Sequence, residues 1–129
     1  MAILGAQALA EALDHLHELQ PEKQDESKTC YSPMIAKSMC GIDFTQSALE
    51  ISNLVRGLNP FPGAKCYRAD GKMLKILFSR QTDLCTTEMP GTVIEGENAI
   101  LIAAGNSTVL EVLQLQPEGG KAMRTVDFL

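Results

Sequence analysis

The clearest pattern in the chain is an apolar stripe at helical spacing within residues 47–58. Its members recur at steps that keep them on one face of an α-helix. They are Ala48, Ile51, Leu54, Val55 and Leu58. Ser47 and Glu50 have the spacing of a capping box, in which each side chain bonds the other residue's backbone N–H. A capped helix is therefore predicted here.

Proline and glycine end this helix. Residues 59–63 have the sequence Asn-Pro-Phe-Pro-Gly, and proline both lacks an amide donor and restricts the residue before it. Residues 42–64 are thus predicted to contain a helix start, a helix, a stiff corner and the entry into β structure. By its chemistry alone this stretch is a structural joint.

A second helical pattern covers residues 4–19, where Leu9, Leu13 and Leu16 lie on one side. Because an isolated helix of this length is marginal in water, its apolar side is expected to pack on a partner. Residues 21–41 are polar, contain proline and have no sustained period, which is typical of a linker.

The rest of the chain alternates short apolar segments with turn residues. Residues 65–69 and 72–80 flank Asp70-Gly71, which predicts a two-residue hairpin. The other predicted elements are a loop at 82–89, a strand at 92–94, a turn at 95–98 and strands at 99–104 and 108–115. Five or so short strands at this spacing indicate a small barrel.

Two further details concern the end of this β region. The last predicted strand changes its apolar parity between Val112 and Leu113, which favours a β-bulge or a change of strand neighbours. Thr125 is predicted to cap a helix that begins at Val126.

Size and composition fit one soluble globular domain. The 129 residues are 45% hydrophobic and 21% charged, which is enough apolar chain to form a core. No apolar run approaches the roughly 20 residues needed to span a bilayer, and the N-terminus lacks the basic start of a signal peptide. A membrane role is therefore not expected.

The cysteines and histidines do not predict a metal site. The four cysteines form no CxxC pair, and we expect reduced, mostly buried thiols in a reducing compartment. They are Cys30, Cys40, Cys66 and Cys85. His15 and His17 point roughly 200° apart on a helix and are expected to be solvated helix residues.

Basic residues cluster around the predicted hairpin although the net charge is −5. Residues 1–36 contain two basic and six acidic residues, whereas the rest of the chain contains nine and ten. A nearly neutral region with clustered bases can bind phosphates locally, with a strong dependence on salt. The candidate phosphate-binding residues are Lys65, Arg68, Lys72, Lys75, Arg80 and Lys121. The alternative is an ordinary solvated surface.

No nucleophile–base pair or cofactor motif is present. The chain has no GxGxxG, GxxxxGK[ST], GxSxG or HExxH sequence. Asp43 precedes the predicted capping box, where it either contacts a ligand or orders the entry into the helix. We favour the second role for this carboxylate.

Residues 42–64 resemble the start of the C-terminal domain of the methionyl-tRNA formyltransferase family. The similarity is carried by Ile42-Asp43-Phe44, Ser47-Ala48, Glu50-Ile51 and the run from Val55 to Ala64. Further matches follow at Gly71-Lys72, Leu74-Lys75-Ile76, Pro90-Gly91-Thr92-Val93, Leu115-Gln116-Pro117-Glu118-Gly119, Lys121, Met123 and Asp127-Phe128-Leu129. Leu4-Gly5-Ala6, Leu9, Gln24-Asp25-Glu26 and Tyr31 resemble the family's last catalytic-domain helix and its linker, so the resemblance covers nearly the whole chain.

The resemblance implies an organisation in three parts. Residues 1–20 would be the terminal helix of a catalytic domain outside this chain, residues 21–41 the linker, and residues 42–129 an OB-like C-terminal domain. The implied fold class is mainly β with helices. It is a small OB-like Greek-key β-barrel preceded by a capped helix, with an N-terminal helix and a linker before it.

The family transfers a formyl group from 10-formyltetrahydrofolate to initiator methionyl-tRNA in translation initiation. The resemblance implies that this region helps hold the tRNA, largely by its backbone, in a cytoplasmic and monomeric enzyme. The folate cosubstrate and the family's catalytic Asn-x-His motif belong to the catalytic domain. Neither His15 nor His17 has an asparagine two residues before it. The resemblance therefore implies no catalytic residue, cofactor or metal in this chain, and no activity of the chain alone.

Two alternatives stay open at the level of the sequence. Formyltetrahydrofolate dehydrogenase and sugar-nucleotide formyltransferases share this architecture, and a free-standing OB-like interaction module would have the same barrel. The closing block at residues 115–123 favours the tRNA enzyme. The chain departs from the family pattern at Phe44 and Phe61, where Trp is usual, at Ser38-Met39, where acidic residues are frequent, and in its acidic linker.

Overall fold

A computed structural model describes residues 1–96 and 98–129 of the chain. The chain divides into two compact units, Met1–Pro33 and Met34–Leu129. The first unit contains the helix α1, Ala2–Asp14. The second contains the helices α2 (Ala48–Leu58) and α3 (Thr125–Phe128) and the strands β1 (Ala64–Tyr67), β2 (Met73–Cys85), β3 (Val93–Gly96), β4 (Ala99–Ala103), β5 (Thr108–Pro117) and β6 (Met123–Arg124). Short 3₁₀ turns occupy Glu26–Lys28 and Lys37–Cys40.

Helix α1 is shorter than the helix predicted over residues 4–19. After Asp14 the backbone tightens, because the N–H of Glu18 donates to the carbonyl of His15, three residues back (2.9 Å). His15 and His17 therefore lie beyond the helix, exposed, and each side chain contacts the Glu18 carboxylate. None of the residues of α1 is buried.

The segment before α2 is anchored by a cysteine. Cys40 ends the second 3₁₀ turn, is fully buried and belongs to the hydrophobic core. The next residue, Gly41, bridges Lys65 of β1 in the parallel sense, and the Ile42 N–H donates to the Lys65 carbonyl (2.8 Å). These contacts hold residues 34–42 beside β1.

The strands form an antiparallel sheet in the order β1-β2-β5-β4-β3, and β6 pairs with the end of β5. The prediction of a mainly β fold with helices is confirmed. Within the described residues β1 and β3 are the two ends of this strand order and are not paired with each other. Closure of the sheet into a barrel therefore stays a prediction.

The predicted hairpin around Asp70-Gly71 is confirmed, with β1 and β2 in antiparallel register. The turn is longer than the two residues predicted, because the Arg68 N–H donates to the Lys72 carbonyl and encloses residues 69–71. The prediction of a loop at residues 82–89 is partly wrong, because β2 continues to Cys85 and only residues 86–89 are irregular. Cross-strand pairing with β5 overrides the weak apolar pattern of this segment. The Thr82 hydroxyl also donates to the Val109 carbonyl of β5 (3.1 Å).

The predicted turn at residues 95–98 is partly wrong. Strand β3 extends through Gly96, whose partner in β4 is Ala99. Residue 97 lies outside the described residues.

A bulge in β5 confirms the change of parity seen in the sequence. Phe78 and Ser79 of β2 are consecutive, but their partners in β5 are Gln114 and Val112, which leaves Leu113 as the extra residue. Thr125 does not cap α3 as predicted, since it is the first helical residue and Arg124 holds the cap position. Its buried hydroxyl donates instead to the Val112 carbonyl beside the bulge.

Helix α2 packs over the sheet and completes the core. The capping box is confirmed, because the Ser47 N–H donates to Glu50 Oε2 (2.9 Å) and the Glu50 N–H donates to Ser47 Oγ (3.4 Å). The apolar stripe predicted from the sequence faces the sheet. Buried core residues of the helix and the strands include Ile51, Val55, Ile76, Leu110, Val112 and Leu115.

Candidate nucleic-acid interface

Lysines lie on the face of the sheet that points away from the core. One row of residues that pair across β1, β2 and β5 is buried. It consists of Ala64, Ile76 and Leu115. Successive residues of a strand point to opposite faces. The adjacent row, which lies on the other face, consists of Lys65, Lys75 and Gln116. We call this other face the outer face.

An open cavity of about 540 Å³ lies at one edge of the outer face. Its lining combines three lysines with apolar side chains: Lys37, Lys65, Lys75, Met34, Ile35, Phe61 and Pro62. We call it the lysine pocket. Three separate segments form it, namely the second 3₁₀ turn with the residues before it, the corner after α2, and the β1–β2 hairpin.

The lysine pocket has three basic side chains, on Lys37, Lys65 and Lys75, that are not paired with a carboxylate within the described residues. Lys65 and Lys75 are direct cross-strand partners, and like charges in that position repel each other. An anion with several oxygens would relieve this repulsion, so the geometry suits a phosphate group.

Arg68 and Lys72 lie at the turn of the same hairpin. The Arg68 N–H donates to the Lys72 carbonyl (3.0 Å), and both side chains approach one carboxylate oxygen of Asp70, at 3.6 Å from Arg68 Nη2 and 4.0 Å from Lys72 Nζ. Exposed pairs of this kind are weak. Both cations therefore stay available to a ligand, although Asp70 reduces the local charge.

Arg80 is on the outer face but apart from the lysine pocket. A register shift directly after Ile76 reverses the alternation of faces. Arg80 therefore shares a face with Lys75 although it lies five residues beyond it on β2, a distance of about 16 Å along a strand. Its Nε donates to Glu111 Oε2 of β5 (2.6 Å). This hydrogen bond and the negative charge of Glu111 raise the pKa of the Arg80 guanidinium. A phosphate at Arg80 would have to compete with Glu111.

Lys121 is exposed in the loop between β5 and β6. That loop is tied to the basic row by Gln116, whose Nε2 donates to the Gly120 carbonyl (2.9 Å). Of the six residues predicted from the sequence, the structure thus brings Lys65 and Lys75 together. It places Arg68 and Lys72 at the hairpin turn, Lys121 at the next loop and Arg80 farther along β2.

Lys37 and Phe61 of the lysine pocket are not among the residues predicted from the sequence. Lys37 belongs to the predicted linker, and the contacts of Gly41 and Ile42 with Lys65 bring that segment to the hairpin. Phe61 was assigned to a structural corner, yet its side chain is 85% exposed. The one available signal was an aromatic residue held between two prolines.

Other exposed aromatic residues accompany the cations on the outer face. Tyr67, 72% exposed, follows Lys65 by two residues in β1 and so points to the same side. Phe78 of β2 is half exposed and pairs with Gln114. Cations interleaved with aromatic rings are typical of surfaces that bind nucleic acid strands.

The remaining candidate residues have structural explanations. The Asp43 carboxylate accepts from the N–H and hydroxyl of Thr45 (3.0 and 2.7 Å), and these bonds lower its pKa. Its predicted role at the helix entry is confirmed. Burial raises the pKa of the Cys66 thiol to about 11, which makes that thiol unreactive.

The cysteines correct one expectation. All four are free, but Cys30 and Cys85 are exposed, so the prediction of mostly buried thiols is wrong. Cys30 belongs to the predicted linker and Cys85 to the predicted loop at 82–89, and both segments leave these thiols exposed. Residues 1–96 and 98–129 contain no group of three or more His, Cys, Asp or Glu side chains that could hold a metal ion.

In the part of the chain that the structure describes, no helix is both long enough and apolar enough to cross a membrane.

Comparison with known proteins identifies the family. Residues 34–129 match the family model "Formyl transferase, C-terminal domain". Among curated proteins, the methionyl-tRNA formyltransferase of Bacillus velezensis is 40% identical over 132 residues, covering 100% of this chain and 41% of that protein. That of Geotalea uraniireducens is 44% identical over 133 residues, with coverage of 100% and 41%. The chain thus spans about two fifths of the length of these relatives.

A solved structure supports the fold. HypX from Aquifex aeolicus in complex with tetrahydrofolic acid has a TM-score of 0.63 at 16% identity, and the match covers 95% of this chain and 22% of HypX. A variant of HypX gives a TM-score of 0.65. At this identity the likeness concerns the fold alone. The match of the family model over three quarters of the sequence decides the assignment: the chain belongs to the formyl transferase C-terminal domain family.

Proposed function

We propose that this chain is the C-terminal tRNA-binding region of a methionyl-tRNA formyltransferase. Such an enzyme transfers a formyl group from 10-formyltetrahydrofolate to initiator methionyl-tRNA in translation initiation. Curated relatives of this name align with the whole chain. The observation that carries the proposal is the outer face, where unpaired lysines meet at one edge of the sheet.

The proposed binding surface holds RNA through its phosphates. Lys65 and Lys75 would provide the centre of positive charge, with further contacts from Arg68, Lys72, Arg80 and Lys121. Lysine is a flexible point charge that suits phosphate without reading a base. The surface would thus position the tRNA, and another part of the enzyme would recognise the end of the tRNA that carries methionine.

We assign the chemistry to a preceding catalytic domain. In this proposal residues 1–20 are the last helix of that domain, residues 21–41 are the linker and residues 42–129 are the OB-like domain. The exposed leucines of α1 support this division, since an apolar helix face is stable in water only when it packs on something. The folate cosubstrate belongs to the catalytic domain, and the whole enzyme is a cytoplasmic monomer that acts on initiator methionyl-tRNA.

Charge reversal on the hairpin tests the proposal. The variant with Lys72→Glu and Lys75→Glu is titrated with initiator tRNA beside the unchanged chain, at low and at high salt. Each reversal replaces an attraction to phosphate by a repulsion, so we expect the affinity at low salt to fall by roughly tenfold or more.

The matched control for this experiment is Arg56→Glu. Arg56 is exposed on α2, which packs on the core side of the sheet, so one of the two charge reversals is repeated away from the outer face. We expect only a small loss of affinity for this variant. Equal affinities of the hairpin variant and the unchanged chain would refute the proposed surface.

A further inference from the structure

Phe61 is fixed at the rim of the lysine pocket. It stands between Pro60 and Pro62, whose rings restrict the backbone on both sides. The Gly63 N–H donates to the Leu58 carbonyl (2.9 Å), which ties the corner to the end of α2. An aromatic ring that is 85% exposed yet held by a stiff backbone is already positioned to receive a flat partner.

The surroundings of Phe61 specify the chemistry of that partner. The pocket places a ring beside three amino groups, on Lys37, Lys65 and Lys75. Its volume of about 540 Å³ lies in the range of roughly 300–1,000 Å³ that is usual for small-ligand sites. A partner with one flat apolar part and one anionic part satisfies both halves of the pocket.

We propose that the lysine pocket holds one unpaired nucleotide of the bound RNA, with its base stacked on Phe61 and its phosphate between the lysines. This inference rests on the proposed function and deepens it, because it adds a contact to a base. Only an unpaired nucleotide fits, since the bases of a helix are stacked on their neighbours and cannot offer a face to a protein ring.

The experiment compares single-stranded with double-stranded RNA. The complete chain is titrated with a short single-stranded RNA that bears a 5′-phosphate and one 2-aminopurine, whose fluorescence falls on stacking, and with a duplex of the same length. Phe61→Ala should weaken binding of the single strand by roughly fivefold or more. It should also abolish the loss of fluorescence, and it should leave the affinity for the duplex unchanged.

Further variants separate stacking from apolar contact and from folding. Phe61→Trp keeps a ring and should keep both the affinity and the quenching, whereas Phe61→Leu keeps apolar bulk and should behave like Phe61→Ala. Leu49→Ala is the matched control, since Leu49 is an exposed apolar residue on α2. This change should alter neither the affinity for the single strand nor the affinity for the duplex.

The possible outcomes distinguish a failure of this inference from a failure of the proposed function. Unchanged affinity and quenching in Phe61→Ala would overturn the nucleotide pocket, even if the hairpin variant lost tRNA binding and the proposed function stood. Equal losses for single strand and duplex would also overturn it. Loss of quenching and of single-strand affinity in Phe61→Ala alone supports it.

Discussion

At the scale of single residues, Gly105 is the glycine, among those that the structure describes, at which an added Cβ would meet the nearest atom. Its N–H donates to the carbonyls of Phe44 and Gln46 (3.0 and 2.8 Å), so the entry to α2 lies directly against it. A Cβ built on Gly105 would lie 1.8 Å from the carbonyl oxygen of Thr45. The absence of a side chain at Gly105 therefore allows the two backbone segments to meet.

Gly105→Ala is expected to destabilise the fold by about 2–4 kcal/mol, because the backbone of residues 44–46 must move away. Urea unfolding of the two proteins measures the difference. Gly57→Ala provides the matched control, since a Cβ there meets nothing within 4 Å and Gly57 is inside a helix. We expect that change to stabilise the chain by about 0.4–1 kcal/mol. A Gly105→Ala protein as stable as the unchanged chain would contradict the close approach.

At the scale of elements, the start of α2 is held by a set of reinforcing hydrogen bonds. The Glu50 carboxylate accepts from the Ser47 N–H and hydroxyl (2.9 and 2.6 Å). The Ala48 N–H donates to the Thr108 hydroxyl (2.8 Å), which links the helix to β5. The bonds from Ser47 lower the pKa of Glu50. The helix start thus depends on an ionised carboxylate.

This dependence predicts a change of stability with pH. Because the pKa of Glu50 is lower in the folded than in the unfolded chain, its stabilising contribution is present above the unfolded pKa and is lost as the pH falls through the folded pKa. The free energies of unfolding of the chain and of Glu50→Gln should therefore differ at about pH 6 and approach each other as the pH falls through the folded pKa of Glu50. A difference that stays constant with pH would mean that the charge of Glu50 does not matter.

Helix α2, the hairpin and the bulge in β5 could be predicted from the sequence because each follows from local chemistry. The capping box, Asp70-Gly71 and the change of apolar parity are complete within a few residues of chain. The end of β2 could not be predicted in this way. Residues 82–85 become a strand only because β5 provides the partner, as the pairing of Cys85 with Thr108 illustrates.

At the scale of the whole molecule, the proposed phosphate-binding surface is compatible with a net charge of −5. Most of the net negative charge belongs to the unit Met1–Pro33, which has six acidic and two basic residues, whereas the unit Met34–Leu129 has ten acidic and nine basic residues. The lysine pocket belongs wholly to this second unit. Local charge, not net charge, decides where a phosphate binds at close range, because salt screens exposed charges beyond about 10 Å.

The candidate site was only partly predictable from the sequence, because some of its residues meet through contacts between distant segments. Lys65 and Lys75 could be chosen because a hairpin predicts that its two strands lie side by side. Lys37 and Phe61 enter the pocket through contacts between segments that are distant in sequence, such as the bond from Ile42 to Lys65. The spacing of apolar and polar residues along the sequence does not show which distant segments will be in contact.

The salt dependence of tRNA binding tests the central claim most directly. The affinity of the complete chain for initiator tRNA is measured over a series of salt concentrations, beside the variant with Lys65→Gln and Lys75→Gln. If both lysines contact phosphates, the slope of log affinity against log salt concentration should be smaller in magnitude by about 1.4–1.8 in the variant. The same slope for both proteins would contradict the claim that these lysines hold the RNA backbone.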